Sequence, residues 1–302
     1  MGNVTLGEFL GRTEHTLEEI YSGLNPGWAA LKRGAGLLVG MSPDESVLSR
    51  ALSRMLHIDD PERVTTYLGW LSRQNAPPVD SLGVREQRLA QMLHFDLWAE
   101  RNWGSLQSFL ERFWENPNMV LELRELLQVL DDRARRIAVD ANVDAEVPLS
   151  LHTRYTRNEI MAAFGETTAE KPRFWREGVK RITRYNADIF LVTLNKSERR
   201  FSPSTRYRDY PISPKRFHWE SQSTTTTSSP TGQRYLNHEA MGTRIFLFVR
   251  ESDVGDSVGA SPFLFLGPAK HVSHEGERPI AIVWELEHEM PLDFFQAARV
   301  AA

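Results

Sequence analysis

Residues 188–194 read DIFLVTL, a short run rich in β-branched and aromatic side chains and closed by Asn195. Three further runs share this texture: RIFLFV at 244–249, FLFL at 263–266 and IAIVWEL at 280–286. Each is bounded by Gly, Pro or Asn, which is the pattern of strands between turns. No ten-residue helical pattern separates them, so parallel βαβ units are not expected. The prediction for residues 146–302 is a mostly antiparallel, β-barrel-like domain or a strongly bent sheet.

Upstream the period changes. Asp59-Asp60-Pro61-Glu62 has the form of an N-cap followed by Pro at the first helical position, and Val64, Tyr67, Leu68 and Leu71 then recur with helical spacing. Similar segments at 44–58, 84–98, 105–114 and 119–137 predict a helical bundle over residues 1–145, whose Leu stripes are its core. Residues 138–150, AVDANVDAEVPLS, lack a helical period and mark the boundary. A short helix follows, NEIMAAF capped by Thr156 or Asn158 and ended by Gly165. The expected class is therefore α+β: a helical adaptor, then a β-rich recognition domain.

Composition narrows the chemistry. The 302 residues are 41% hydrophobic and 25% charged, enough for sizeable cores, and contain no Cys, which removes disulfides, zinc–thiolate sites and thiol nucleophiles. There is neither a signal-peptide pattern at the N-terminus nor a run of about 18 apolar residues, so a soluble cytoplasmic protein without a membrane partner is expected. No Gly-x-x-x-x-Gly-Lys-Ser/Thr loop is present to cradle a triphosphate, and no Gly-x-Ser-x-Gly elbow to present an acyl-transfer serine.

Net charge is only −4, but it is unevenly spread. Residues 171–216 hold 13 Lys or Arg against four acidic residues, a local +9 that leaves −13 for the rest. A phosphate backbone is the natural partner of such a patch, since each neutralised phosphate releases counterions. Just beyond it lies a run of seven hydroxyl side chains, STTTTSS at 223–229, between FHWE at 217–220 and GQRY at 232–235. Both flanks read as polar-decorated strand ends, and the loop as a segment that orders on binding and donates to phosphate oxygens.

The candidate DNA contacts follow from residue type. Asn195, Lys196, Arg199, Arg200, Ser202, Arg206, Tyr207 and Arg208 are placed to position phosphates, with Ser223 and Thr224 from the hydroxyl loop. His218, Trp219, Gln222, Gln233, Arg234, Tyr235 and His238 would read or stack on bases, and His271, Ser273 and His274 lie beside them in the expected barrel. No cofactor and no metal are assigned. The trio His271, His274 and Glu275 is compact, but residues three apart on a strand point to opposite faces. An alternative is a metal-dependent nuclease using Asp209, Glu220 and that trio, in which Gln222 stands where a lysine would help activate water. A second alternative is a protein-interaction adaptor, suggested by the acidic helical half.

The motifs TLNKSE (193–198), FHWESQ (217–222), SPTGQRYLNHE (229–239), FLGPA (265–269) and VSHEGERP (272–279) resemble the uncharacterised C-terminal domain of bacterial superfamily-II DEAD/DEAH-type helicases. The resemblance runs from about Thr153 onward, and RALSRMLHIDDPERV at 50–64 looks like the segment joining the motor to that domain. It implies a setting in DNA restriction or antiviral defence, with a helicase motor and a phospholipase-D-like nuclease in the same chain or complex. By fold analogy alone it also suggests SRA, PUA-like or B3-like readers of modified DNA, base-methylated or phosphorothioate.

Overall fold

The computed structural model describes residues 4–23, 26–98, 104–134, 139–195, 208–252 and 261–301. The first half is helical throughout: α1 (Leu6–Arg12), α2 (Leu17–Ile20), α3 (Trp28–Gly34), α4 (Glu45–Leu52), α5 (Pro61–Leu71), α6 (Val84–Trp98), α7 (Leu106–Trp114) and α8 (Pro117–Ala134). Local chemistry starts these helices where the sequence indicates. Thr5 with Glu8 and Thr16 with Glu19 form capping boxes, and the Asp60 side chain accepts from the Glu62 and Arg63 amides ahead of α5.

The connector at 139–151 is held by arginines from both sides. Arg85 of α6 donates to the Ala145 and Val147 carbonyls at 3.1 and 2.7 Å, and Arg88 reaches Glu146 at 3.1 Å. From beyond the connector, Arg184 also binds Glu146, at 2.6 Å, and Arg244 donates to the carbonyls of Asn142 and Val143. Carbonyls without a secondary-structure partner are thereby satisfied.

The second half comprises β1 (Arg154–Tyr155), α9 (Arg157–Ala163), β2 (Val179–Ile182), β3 (Ala187–Asn195), β4 (Tyr210–Ser213), β5 (Arg216–Glu220), α10 (Pro230–Leu236), β6 (Arg244–Ser252), β7 (Phe263–Glu275), β8 (Ala281–Leu286) and α11 (Leu292–Ala301). Thr156 caps α9 in a third capping box, and Gly165, at φ +71°, follows its end.

The strands form one eight-stranded sheet in the order β2-β3-β6-β7-β8-β5-β4, with β1 pairing on β7. Pairing is antiparallel except between β3 and β6, which run parallel in full register from Ala187↔Arg244 to Asn195↔Ser252. Pairing is thus mostly antiparallel, as expected, and the one parallel pair is not a βαβ unit: its connection passes through β4, β5 and α10.

The sheet is not closed, which corrects the expected barrel. DIFLVTL contributes to a core on each side of the sheet. Ile189 and Leu191 face one core with Phe246, Phe248, Phe263 and Phe265, which the helices of the first half continue. Phe190, Val192 and Leu194 face a second core with Ile245, Leu247, Trp219, Trp284 and Phe294 of α11. A strand apolar on both faces needs cover on both: helices cover the first, and on the second the sheet bends so that Phe190 of β3 meets Trp219 of β5 at 4.3 Å, with α11 packed beside them. Each fully buried Leu or Phe contributes about 1.5–3 kcal/mol, so uncovering either face would be costly.

A buried ionic cluster adds to the apolar contact between the halves. Arg63 of α5, fully buried, binds Asp96 of α6 and Glu159 of α9, the latter at 2.5 Å, and His57 lies 3.0 Å from Glu159. Burial opposes ionisation of Glu159, but Arg63 and His57 outweigh it and hold that carboxyl well below the usual range. Burial together with the Glu159 charge pushes Asp96 well above its ordinary value. Two carboxyls sharing one buried guanidinium do not ionise equally.

Candidate nucleic-acid interface

Each predicted site residue has a definite place or lies outside the described residues. Lys196, Arg199, Arg200, Ser202, Arg206 and Tyr207 are in the latter group. The remaining cations of the positive stretch are divided between the two edges of the sheet. Lys171, Arg173, Arg176, Lys180, Arg181 and Arg184 lie on and around edge strand β2, whereas Arg208, Lys215 and Arg216 lie around β4 and β5. The described cations of the +9 segment therefore sit along two different edge strands of the sheet.

The hydroxyl loop is already ordered by its own hydrogen bonds. Thr227 donates through its amide, at 3.0 Å, and through its hydroxyl to Glu277 in the β7–β8 turn. Ser229 caps α10 by accepting from the Gly232 amide at 3.1 Å, and Gln233 donates to the Thr227 carbonyl at 2.7 Å. GQRY is therefore a helix and not a strand end, because Ser229-Pro230 is an N-cap followed by Pro at the first helical position. Ser223 and Thr224 are exposed at the start of the loop, and Gln222 accepts the Thr225 amide through its carbonyl.

A Cβ on Gly232 would lie 2.0 Å from the Thr226 carbonyl oxygen, so helix and loop touch backbone to backbone. Gly232→Ala is expected to cost about 1–3 kcal/mol by forcing them apart, seen as a lower urea midpoint with the slope unchanged. An unaltered midpoint would show that the loop yields freely.

The presumptive base-reading side chains divide sharply. Trp219 and Tyr235 are 5% and 2% exposed, and pack on Phe190 with ring centroids 4.3 and 5.2 Å away. They are core residues and offer no face for a base. Arg234 does not point at solvent phosphate: its Nε and Nη2 donate to Asp188, fully buried, at 2.6 and 3.1 Å. The bond to Asp188 raises the Arg234 pKa further. Buried His238 donates from Nδ1 to the Thr243 carbonyl at 3.0 Å and accepts the His271 amide at Nε2, 3.1 Å away, which defines its neutral tautomer.

His218 remains on the surface, stacked on Tyr210 at 4.6 Å with Nδ1 donating to the Arg208 carbonyl at 2.6 Å. Asp209 and Glu220 accept from backbone amides, Glu220 N to Asp209 at 3.0 Å and Arg208 N to Glu220 at 3.0 Å, tying the β4–β5 pair together. Asn195 is exposed at the end of β3, paired in register with Ser252.

The spacing of His271 and His274 is resolved by a β-bulge. The register passes from His271↔Trp284 to Ser273↔Val283 and His274↔Ile282, so Val272 is the extra residue. Trp284 and Ile282 both face the second core. His271 and His274 therefore share one face, with Nε2 and Nδ1 3.1 Å apart, while Ser273 is on the other. The expectation that they point to opposite faces is corrected. Among the described residues, no group of three or more His, Asp or Glu side chains converges as a metal site.

A second cationic feature was not singled out by residue in the sequence. Between α9 and β2 runs KPRFWR, 171–176. Arg157 of α9 holds it from beneath: Nη1 donates to the Trp175 and Glu177 carbonyls at 2.8 and 2.9 Å, and the guanidinium lies 5.5 Å from the buried Trp175 ring. Above that anchor Phe174 is 59% exposed, and Lys171, Arg173 and Arg176 are exposed beside it. Lys180, Arg181 and Arg184 have carboxylates within 4 Å (Glu166, Asp188 and Glu146), whereas Lys171, Arg173 and Arg176 make no ion pair among the described residues. Its legible signal is the alternation of basic and aromatic residues inside the +9 run.

No helix among the described residues is long and apolar enough to cross a membrane. No curated protein matches the chain. Residues 149–298, which include the KPRFWR hook and the histidine pair, match the family described as a domain of unknown function, DUF3427.

Proposed function

We propose that the protein is a DNA-binding recognition module of a helicase-linked restriction or antiviral defence system. The observation that carries the reading is the anchored KPRFWR hook: three exposed cations without carboxylate partners among the described residues, around an exposed aromatic ring. Phosphates are bound by such cations through counterion release, and a solvent-facing Phe offers a stacking platform for an unpaired base. The family match fits this reading, since the motifs that carry the helicase resemblance lie within residues 149–298. Asn195, Arg208, His218, Ser223, Thr224 and Ser273 would supply further contacts.

Fluorescence anisotropy against salt tests the proposal directly. The triple variant Lys171→Ala/Arg173→Ala/Arg176→Ala is expected to flatten the log K against log salt slope by about 2–3 for duplex DNA, near 0.9 per lost phosphate contact. Phe174→Ala should weaken single-stranded binding by about 1–3 kcal/mol. Matched plain, base-methylated and phosphorothioate duplexes then identify the target. Salt-independent affinity, or none, would instead favour a protein-interaction adaptor.

A further inference from the structure

The histidine pair on β7 has no role in the hook and lies at a different part of the sheet. We propose that His271 and His274 form a two-imidazole site for a borderline transition cation of the Zn²⁺, Ni²⁺ or Cu²⁺ class, separate from nucleic-acid binding.

Geometry is the first ground. Two nitrogens on one tetrahedral zinc, each at about 2.0–2.1 Å, stand about 3.3–3.4 Å apart. His271 Nε2 and His274 Nδ1 are 3.1 Å apart, in a ring-to-ring hydrogen bond that a cation bound between them would replace. This follows from the bulge at Val272, since a regular strand would send the two rings to opposite faces.

The frame around the pair is rigid. Buried His238 binds the backbone amide of His271 through Nε2, and its own Nδ1–H is fixed by the Thr243 carbonyl. The bulge backbone is thus held by a side chain locked in one tautomer, and ligands on supported strands are positioned better than those on free loops.

The ligand set defines the cation. Imidazole nitrogen suits Zn²⁺, Ni²⁺ and Cu²⁺, whereas Mg²⁺ and Ca²⁺ require oxygen donors. With two protein ligands, the remaining positions go to water or to an incoming group, so the site is exchangeable and differs from a closed structural zinc site.

Calorimetric titration of untagged protein with zinc chloride at pH 7 is the test, with magnesium chloride as the comparison arm. One equivalent of Zn²⁺ and no Mg²⁺ is the expected result. His271→Asn and His274→Asn should each weaken Zn²⁺ binding at least the ~10-fold seen for loss of even an outer-shell partner. His15→Asn, an exposed histidine in the helical half, should leave it unchanged. With Cu²⁺, electron paramagnetic resonance should show two coordinated nitrogens, reduced to one in either single variant. Absence of Zn²⁺ binding to the wild type overturns the proposal. So does equal affinity in the His271→Asn/His274→Asn double variant, provided circular dichroism shows it folded.

Discussion

Arg63→Ala is expected to destabilise the protein by about 3–5 kcal/mol, the usual cost of leaving a buried charge without its partner. Arg63 and Glu159 are both fully buried, and Arg63 serves Asp96 as well. Removing the guanidinium leaves Glu159 with the His57 imidazole as its neighbour, and it opens space beneath Tyr67, whose hydroxyl is 3.2 Å from Arg63 Nε. Two carboxyls would then face each other in a site closed to water. Urea unfolding, monitored by tryptophan fluorescence, should show the loss, and the melting temperature should fall by roughly 10 °C. Arg63→Met combined with Glu159→Gln should be less unstable than the sum of the single changes, because both charges leave together. A loss below about 1 kcal/mol for Arg63→Ala would mean that water reaches the cluster and that the two halves do not depend on it.

Arg234→Ala is expected to cost about 3 kcal/mol of stability without a direct effect on DNA affinity. The reason is Asp188, fully buried at the start of β3, which receives two guanidinium nitrogens from Arg234 and has Arg181 at 3.5 Å. Truncation leaves the carboxylate to Arg181 alone. Arg234→Lys should recover only part of the loss, since one ammonium cannot reproduce a bidentate bond. The decisive comparison pairs chemical denaturation with anisotropy at a temperature where the variant is folded. An unchanged midpoint with weakened DNA binding would reverse the assignment and restore Arg234 to a phosphate-contacting role.

These two arginines show where sequence reasoning reached its limit. Arg234 stands in a basic, polar neighbourhood in the chain, and nothing local indicates that Asp188, 46 residues away, is buried beside it. Trp219 and Tyr235 were ambiguous for the same reason: an aromatic with a polar tip suits a core and a base-binding surface equally. The hook at 171–176 was legible only as part of a charge count, because its exposure depends on Arg157 holding Trp175 inward. The histidine spacing was misjudged because an ideal strand has period two, and a one-residue bulge shifts everything beyond it.

What the chain determines by itself is local. Caps such as Thr5, Asp60 and Thr156 start helices within three residues of themselves, and apolar periodicity marks a helical first half and a strand-rich second half. The need for cover on both sides of β3 was latent in DIFLVTL, whose successive apolar residues supply both faces. Only the tertiary structure decided what covers those faces: helices of the first half on one, and on the other the bent sheet's own strands together with α11. It also decided which cations are consumed by buried carboxylates and which remain for a partner. Such pairings join residues tens of positions apart, and their free energy comes from burial, which no short window of sequence contains.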